Sequence, residues 1–140
     1  MKLNIKKLNE NAILPKYASE EAAGLDLYCI EIHKVLSDKV VMYKTGLSVQ
    51  PEKGYHTEIL LRSSIVKSGY MLSNSVGLID RDYTGELIVV LTKINENSPE
   101  LSLPFCLTQL VVRKTNFFEI NEVDILEETI RGDGGFGSTN

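Results

Sequence analysis

Apolar residues along the chain fall into short runs, rich in Val, Ile, Leu and Tyr, that turn-forming residues separate. The clearest runs are Gly24–Ile30, Val40–Val49, Thr57–Leu61, Glu86–Leu91, Leu101–Leu103 and Leu107–Val112. Pro, Gly, Asn and Asp punctuate the intervening segments 51–54, 82–85 and 95–100. Many short strands joined by regular turns are typical of an all-β sandwich or barrel. We therefore predict an all-β fold.

At most one short helix interrupts this pattern. The segment SSIVKSG after Arg62 offers a serine N-cap and a closing Gly69, which predicts a short helix. After the last strand, 119–130 is acidic and moderately apolar, as in a tether laid on a surface, and 131–140 is rich in glycine. We expect one β domain over 1–130, followed by a flexible C-terminal motif over 131–140.

Composition and charge narrow the possible partners. The 140-residue chain is 43% hydrophobic and has a formal net charge of -4, which argues against a basic nucleic-acid-binding face. We find neither a signal-peptide core nor a membrane-spanning stretch. Cysteines and histidines are few and isolated, which gives little support to a zinc site or disulfides. We expect no nucleic-acid or membrane partner and an intracellular, cytoplasmic location, with a nuclear or virus-encoded protein left open.

The segment LLRSSIVKSG contains a candidate phosphate site. Arg62 is followed by Ser63 and Ser64 at the start of the predicted helix. A guanidinium fork, two hydroxyls and free backbone N–H groups can together bind a phosphate. A capped helix beside a surface arginine would show the same residues. The segment alone leaves both interpretations open.

A candidate general base lies in NSVGLIDRDYTGELIVVL, Asn74 to Leu91. Two extended runs flank an acidic turn, which predicts a hairpin. Asp80 ends the first run, close to Gly77, where a ligand could approach the backbone. Aspartates also form turns, and Tyr83 could simply pack in the hairpin.

Two polar residues interrupt apolar strand patterns, and the tail contains an isolated aromatic residue. Asp26 stands between leucines in AAGLDLY, and Gln109 precedes the apolar run in TQLVV. Each could be an ordinary surface residue. The tail RGDGGFGSTN places Phe136 among glycines, so it is either a frayed end or a flap that orders over a ligand.

Taken in order, AAGLDLY, LRSSIVKSG, SNSVGLIDRDYTGEL, LTQLVV and RGDGGFGSTN resemble the five motifs of the trimeric dUTPase family. GLIDRDYTGE and RGDGGFGST are the most specific of them. The resemblance implies a jelly-roll-like β barrel assembled as a homotrimer, with active sites between subunits and a C-terminal arm that closes over them. It also implies hydrolysis of dUTP to dUMP and pyrophosphate, which keeps uracil out of DNA and supplies dUMP for dTMP synthesis.

The resemblance also implies residue roles. Asp80 would activate the attacking water, Gln109 would lie near the α-phosphate, and Arg131 would support the phosphates. Mg²⁺ would be held mainly by the triphosphate, with Asp26 acting on it indirectly through water. The other substrate-binding residues would be Arg62, Ser63 and Ser64 at the phosphates, Asn74, Gly77, Leu78, Ile79 and Ile88 at uracil, Tyr83 beneath the deoxyribose, and Phe136, Gly137, Ser138 and Thr139 in the lid.

The sequence departs from the dUTPase motifs at two places, and two alternative functions stay open. The second motif reads Leu61-Arg62-Ser63-Ser64 where proline-arginine-serine-glycine is usual, and 104–106 replaces a glycine and a charged pair. The arginine-serine-serine variant also resembles dCTP deaminases, including bifunctional dCTP deaminase/dUTPases. Those relatives use a glutamate on the strand that here reads LIVVL, Leu87 to Leu91. A non-catalytic nucleotide-binding regulatory protein is the other alternative.

Overall fold

The computed structural model describes residues 1–138 of the chain. The fold is nearly all β, and its only helix within that range is a short 3-10 helix at Ser63–Lys67. The strands are β1 (Leu3–Lys7), β2 (Lys16–Tyr17), β3 (Leu25–Cys29), β4 (Glu31–Val35), β5 (Val40–Lys44), β6 (Leu47–Pro51), β7 (Tyr55–Leu61), β8 (Tyr70–Leu72), β9 (Gly77–Ile79), β10 (Ile88–Lys93) and β11 (Phe105–Lys114).

The strands form antiparallel sheets that enclose one core. One sheet has the order β2-β3-β11-β7-β9, a second has the order β4-β5-β10-β8, and β1 pairs with β6. Leu27, Ile59 and Leu110 face inward from the first sheet, and Val89 and Leu91 face inward from the second. Each buried side chain of this size stabilises the fold by about 1.5–3 kcal/mol. The predicted all-β, jelly-roll-like architecture is confirmed.

Several strands differ from their predicted extents. The run Val40–Val49 is two strands, because Gly46 adopts φ +70° between them, a conformation that glycine reaches without strain. The run Leu101–Leu103 was predicted as a strand but lies outside regular structure. The pattern also missed β4, whose residues are all exposed, because an exposed strand has no buried face to produce an apolar alternation.

The predicted hairpin between Asn74 and Leu91 is wrong. β9 pairs with β7, whereas β10 pairs with β5 and β8 in the other sheet. Gly77 lies so close to β7 that an added Cβ would meet the Ile59 Cβ at 2.9 Å, which explains how β9 can approach that edge. The segment after Asp80 therefore crosses from one sheet to the other.

The short helix occurs where it was expected, but its start differs from the prediction. Arg62 occupies the N-cap position in an extended conformation without a side-chain cap, and Ser63 lies inside the helix. The predicted serine cap is therefore wrong. The Arg62 N–H instead donates to the Leu107 carbonyl at 2.9 Å, which keeps this residue on the sheet. Gly69, at φ +78°, follows the helix as expected. Among residues 1–138, no helix combines the length and the apolar character that crossing a membrane requires.

The segment that follows β11 extends away from the barrel. Its apolar side chains are largely exposed, including Phe117 and Phe118 at 85% and 82% and Ile120 at 91%. Residues 119–130 were expected to lie on a surface, but that surface does not belong to this chain, because every one of them is exposed.

Candidate active site

Asp26 and Arg62 form an ion pair near one end of the larger sheet. Asp26 lies on β3, and its Oδ1 lies 3.0 Å from Arg62 Nε, with the two side chains 16% and 33% exposed. Arg62 follows β7 directly, and its Nη1 donates to the Cys106 carbonyl at 3.0 Å. The guanidinium is thereby held in one orientation at the edge of the barrel.

The register of β11 places Gln109 beside this ion pair. It pairs with Asp26 on one side and with Leu60 on the other, and its Nε2 donates to the Leu61 carbonyl at 2.9 Å. Gly24 makes room for the amide, because a Cβ there would lie 2.3 Å from Gln109 Oε1. We call Asp26, Arg62 and Gln109 the β7-end group.

The departures from the family pattern at Leu61 and Cys106 keep two main-chain acceptors of this group in place. The Leu61 carbonyl accepts a hydrogen bond from the Gln109 amide, and the Cys106 carbonyl accepts one from the Arg62 guanidinium. Any residue offers that oxygen, so these two replacements retain the acceptors. Burial raises the pKa of the Cys106 thiol, which keeps it protonated and a poor nucleophile at neutral pH. Ser63 and Ser64 are exposed beside Arg62.

Asp80 lines a separate cleft at the end of β9. The cleft has a volume of about 240 Å³ and is lined by Leu78, Ile79, Asp80, Tyr83, Glu86 and Ile88. The Asp80 side chain is exposed. The Tyr83 hydroxyl donates to the Glu86 carbonyl at 2.8 Å, and the Tyr83 N–H donates to the Asp80 carbonyl at 3.1 Å. We call this feature the Asp80 cleft; Asn74 is exposed in the turn before it, and Gly77 is buried.

A cluster of polar residues that the sequence did not single out lies beside Asp80. His56 Nε2 and Glu58 Oε1 are 3.2 Å apart, and Arg113 Nε donates to Glu58 Oε2 at 2.5 Å. The hydrogen bond from Arg113, with a further one from His56, lowers the pKa of Glu58. His56 also lines a second cleft, of about 450 Å³, which contains Asp80. The strand pattern of β7 could have indicated this cluster, because every second residue faces outward and His56 and Glu58 therefore share one face.

Within one chain the β7-end group and the Asp80 cleft lie far apart. Ile79 pairs with Thr57, so the antiparallel β9 carries Asp80 toward the start of β7. Arg62 lies five residue steps beyond Thr57, which corresponds to roughly 16 Å at about 3.3 Å per residue. Within one chain Asp80 and Arg62 therefore lie near opposite ends of β7. A general base must lie within hydrogen-bond reach of the water that it activates.

The tail forms turns of its own. Arg131 Nε donates to the Gly134 carbonyl at 2.8 Å. Phe136 is fully exposed and has φ +53°, next to Gly137 at φ +86°. Neither Arg131 nor Phe136 is enclosed by this chain, and Ser138 is exposed as well. Thr139 lies outside the described residues.

In the part of the chain that the structure describes, no group of three or more His, Cys, Asp or Glu side chains is placed to hold a metal ion. The carboxylate of Asp26 already receives Arg62 on Oδ1. A lone carboxylate with one oxygen engaged fits an indirect, water-mediated contact rather than a protein cage.

A comparison with known families gives the assignment. The model of the family described as dUTPase matches residues 10–140. The chain belongs to the dUTPase family. The resemblance seen in the motifs is thereby confirmed.

Relatives with similar sequences span the whole chain. The deoxyuridine 5'-triphosphate nucleotidohydrolase of Nautilia profundicola is 41% identical over 140 residues, which cover 99% of this chain and 99% of that protein. The protein of the same name from Wolinella succinogenes is 39% identical, with 99% of this chain and 94% of that protein covered.

Solved structures of the family share the fold. A Staphylococcus bacteriophage 80alpha dUTPase with dUpNHpp has a TM-score of 0.84 at 21% identity, with 99% of this chain and 98% of that chain covered. A phage phi11 dUTPase variant, whose structure concerns a structural Mg(II) ion, has a TM-score of 0.75 at 21% identity, with 91% of this chain and 100% of that chain covered. At this identity the similarity shows the fold alone.

Proposed function

We propose that this protein is a dUTP diphosphatase that hydrolyses dUTP to dUMP and pyrophosphate. The observation that carries the proposal is the Asp80 cleft, in which an exposed carboxylate stands beside Tyr83 and the main chain of 77–79. Family membership and the names of the full-length relatives support the same substrate. In a cell this activity would limit uracil incorporation into DNA and supply dUMP for dTMP synthesis.

In the proposed reaction Asp80 removes a proton from water, and the water oxygen attacks the α-phosphorus. The bond from that phosphorus to the bridging oxygen breaks, and pyrophosphate leaves. Arg62, Gln109 and Arg131 bind the phosphates and stabilise the charge that develops on them. Phosphoryl transfer of this kind depends mainly on positioning and charge stabilisation.

Each active site would be completed by more than one copy of the chain. Within one chain the β7-end group and the Asp80 cleft lie near opposite ends of β7, roughly 16 Å apart along the strand, and a complementary pair from two copies would bring them to one triphosphate. The arm also exposes Phe117, Phe118 and Ile120, and such exposed apolar surface typically marks a protein contact. Both observations support the homotrimer that the family resemblance implies, with the tail as a lid over the site of another subunit.

Selection of deoxyuridine would come from the strand β9 and the ring of Tyr83. Main-chain groups of 77–79, with Asn74 and Ile88 nearby, would read the edge of uracil, because a wrong base leaves buried polar groups unpaired. Tyr83 would lie beneath the deoxyribose and exclude a 2′-hydroxyl. Phe136 of the lid would cover the base, and the lid residues Gly137, Ser138 and Thr139 would contact the γ-phosphate.

Mg²⁺ would enter bound to the triphosphate. It would supply positive charge to the phosphate oxygens, and the Asp26 carboxylate would orient one of its water ligands. The single carboxylate in the β7-end group fits this role, because Mg²⁺ usually keeps several waters and substrate phosphates as ligands.

The deaminase alternative has weaker support in the structure. Residues 87–91 contain no carboxylate, and Leu87, Val89 and Leu91 are fully buried in the core. The neighbouring Glu86 accepts the Gly46 N–H with its Oε1 at 2.8 Å, so this carboxylate already has a structural partner. Loss of catalytic residues would favour a non-catalytic protein, but Arg62, Asp80, Gln109 and Arg131 are all present.

The function is tested by measuring pyrophosphate release from dUTP, dCTP, dTTP and UTP in parallel, with Mg²⁺. We expect rapid turnover of dUTP alone, and comparable turnover of dCTP or UTP would refute the specificity. Asp80→Asn tests the mechanism, because the neutral amide cannot act as the base. Turnover should collapse while binding of a non-hydrolysable dUTP analogue is largely kept.

A further inference from the structure

The turn between β5 and β6, together with the start of β6, holds the segment that directly follows Tyr83. The turn contains Thr45 and Gly46, Leu47 and Ser48 begin β6, and the held segment comprises Thr84 to Leu87. Five hydrogen bonds join them. Ser48 Oγ donates to the Thr84 carbonyl at 2.7 Å, and the Gly46 N–H donates to Glu86 Oε1 at 2.8 Å. The Leu87 N–H donates to the Leu47 carbonyl at 2.8 Å, and the Leu87 carbonyl accepts from Thr45 Oγ1 at 2.8 Å and from the Thr45 N–H at 3.3 Å. We call this set the 45–48 clamp.

The clamp is rigid because its own residues are enclosed. Thr45, Leu47 and Leu87 are fully buried, and Ser48 is 8% exposed. Gly46 has φ +70°, and a Cβ there would lie 2.8 Å from the Ala12 Cβ. The turn therefore has no freedom to follow movements of the segment that it holds.

Tyr83 is attached to the clamped segment at two points. Its hydroxyl donates to the Glu86 carbonyl at 2.8 Å. Its ring lies over Gly85, where an added Cβ would meet Tyr83 Oη at 2.6 Å and Cζ at 2.7 Å. The position of the ring in the Asp80 cleft is therefore set by the path of 84–87, and that path is set by the clamp.

We propose that Ser48 and Glu86 are positioning residues for sugar selection: through the 45–48 clamp they fix the height of the Tyr83 ring and thereby strengthen the preference for a 2′-deoxyribose. This inference rests on the proposed function, in which Tyr83 lies beneath the sugar. A ring held at one height leaves no space for a 2′-hydroxyl, whereas a ring that can withdraw admits it. Ser48 and Glu86 act through Tyr83 and take no part in the bond-breaking step.

The test compares kcat/KM for dUTP and for UTP in matched variants. Ser48→Ala removes the bond to Thr84, and Glu86→Ala removes the acceptor for Gly46, whereas Glu86→Gln retains an Oε1 acceptor. We expect Ser48→Ala and Glu86→Ala to lower the dUTP/UTP ratio about fivefold, the equivalent of one hydrogen bond of about 1 kcal/mol. Glu86→Gln should keep most of the ratio.

A matched control separates positioning from general loss of stability. Ser37→Ala also removes a hydroxyl that bonds the main chain, where Ser37 Oγ accepts the Val40 N–H at 3.1 Å in the β4–β5 turn. It should leave the ratio unchanged.

Tyr83→Phe loses the hydrogen bond to the Glu86 carbonyl but keeps the ring. Like Ser48→Ala and Glu86→Ala, it should lower the dUTP/UTP ratio.

The outcomes distinguish this inference from the proposed function. If the wild-type protein prefers dUTP but Ser48→Ala and Glu86→Ala lower only the melting temperature and leave the ratio intact, the clamp is purely structural and the inference is wrong. If the wild-type protein does not hydrolyse dUTP, or hydrolyses UTP equally well, the proposed function itself fails.

Discussion

Arg62 Nε lies 3.0 Å from Asp26 Oδ1 in an ion pair that joins the residue following β7 to the strand β3. The pair orients the guanidinium toward the edge of the barrel while the Cys106 carbonyl holds its Nη1. Asp26, for which the resemblance implied an indirect, water-mediated role toward Mg²⁺, is thus also a positioning partner for the arginine that would bind phosphate.

Asp26→Asn should weaken this orientation, because the amide replaces a charged acceptor with a neutral one. An ion pair that is partly buried is worth about 1–2 kcal/mol, between an exposed and a fully buried pair, so we expect kcat/KM for dUTP to fall by roughly tenfold. Steady-state kinetics check this. The control is Glu31→Gln, which breaks an exposed ion pair with Lys44 at 3.7 Å; a similar loss there would show that the effect is not specific.

Mixing two inactive variants should restore activity if the sites lie between subunits. Asp80→Asn and Arg62→Ala each disable every site of a uniform assembly. Random mixed trimers combine an intact Asp80 from one copy with an intact Arg62 from another in about a quarter of the sites. We expect about that fraction of wild-type turnover after the two proteins are unfolded and refolded together. No recovery, with mixed oligomers shown by mass spectrometry, would place both residues of a site in one chain.

Removal of the tail should separate folding from catalysis. A chain that ends at Ile130 keeps every strand, so its circular dichroism and oligomeric mass should match those of the full protein. Its dUTP turnover should fall at least tenfold, because the lid residues are gone. Phe136→Ala should weaken dUTP binding by about 1–3 kcal/mol if the ring stacks on the base. Normal turnover by the truncated chain would show that the tail is a loose end.

Glu58 should make stability fall in acid. The hydrogen bond from Arg113 holds its pKa below the ordinary value in the folded protein, which for an unfolded chain is about 4.3. The stabilisation that ionised Glu58 contributes to the folded protein is therefore complete above about pH 4.3, and it is lost as the pH falls through the folded-state pKa of Glu58. Urea unfolding of Glu58→Gln should show a shallower loss of stability between about pH 5 and pH 3 than wild type. Glu20→Gln, an exposed loop residue, should behave like wild type.

The local pattern of apolar residues predicted strands correctly where one face of the strand is buried. The alternation around Leu25, Leu27 and Cys29 matches the buried face of β3, and the run Leu107–Val112 lies inside β11. The same reasoning failed between Asn74 and Leu91, because a hairpin and a crossover between sheets have the same local signals. Pairing partners are chosen by contacts far along the chain, such as Gly77 against Ile59.

The sequence by itself determined the all-β class, the short helix after Arg62 and membership of the dUTPase family, because these depend on residue periodicity and on five ordered motifs. The role of Asp26 toward Arg62, and the distance between Arg62 and Asp80 along β7, were decided only by the tertiary structure. Strand register brings residues that are distant in sequence into contact and separates residues of one site, and no local pattern encodes that register. The glycine-rich tail shows the same division: its composition indicates mobility, whereas its role depends on the surface over which it closes.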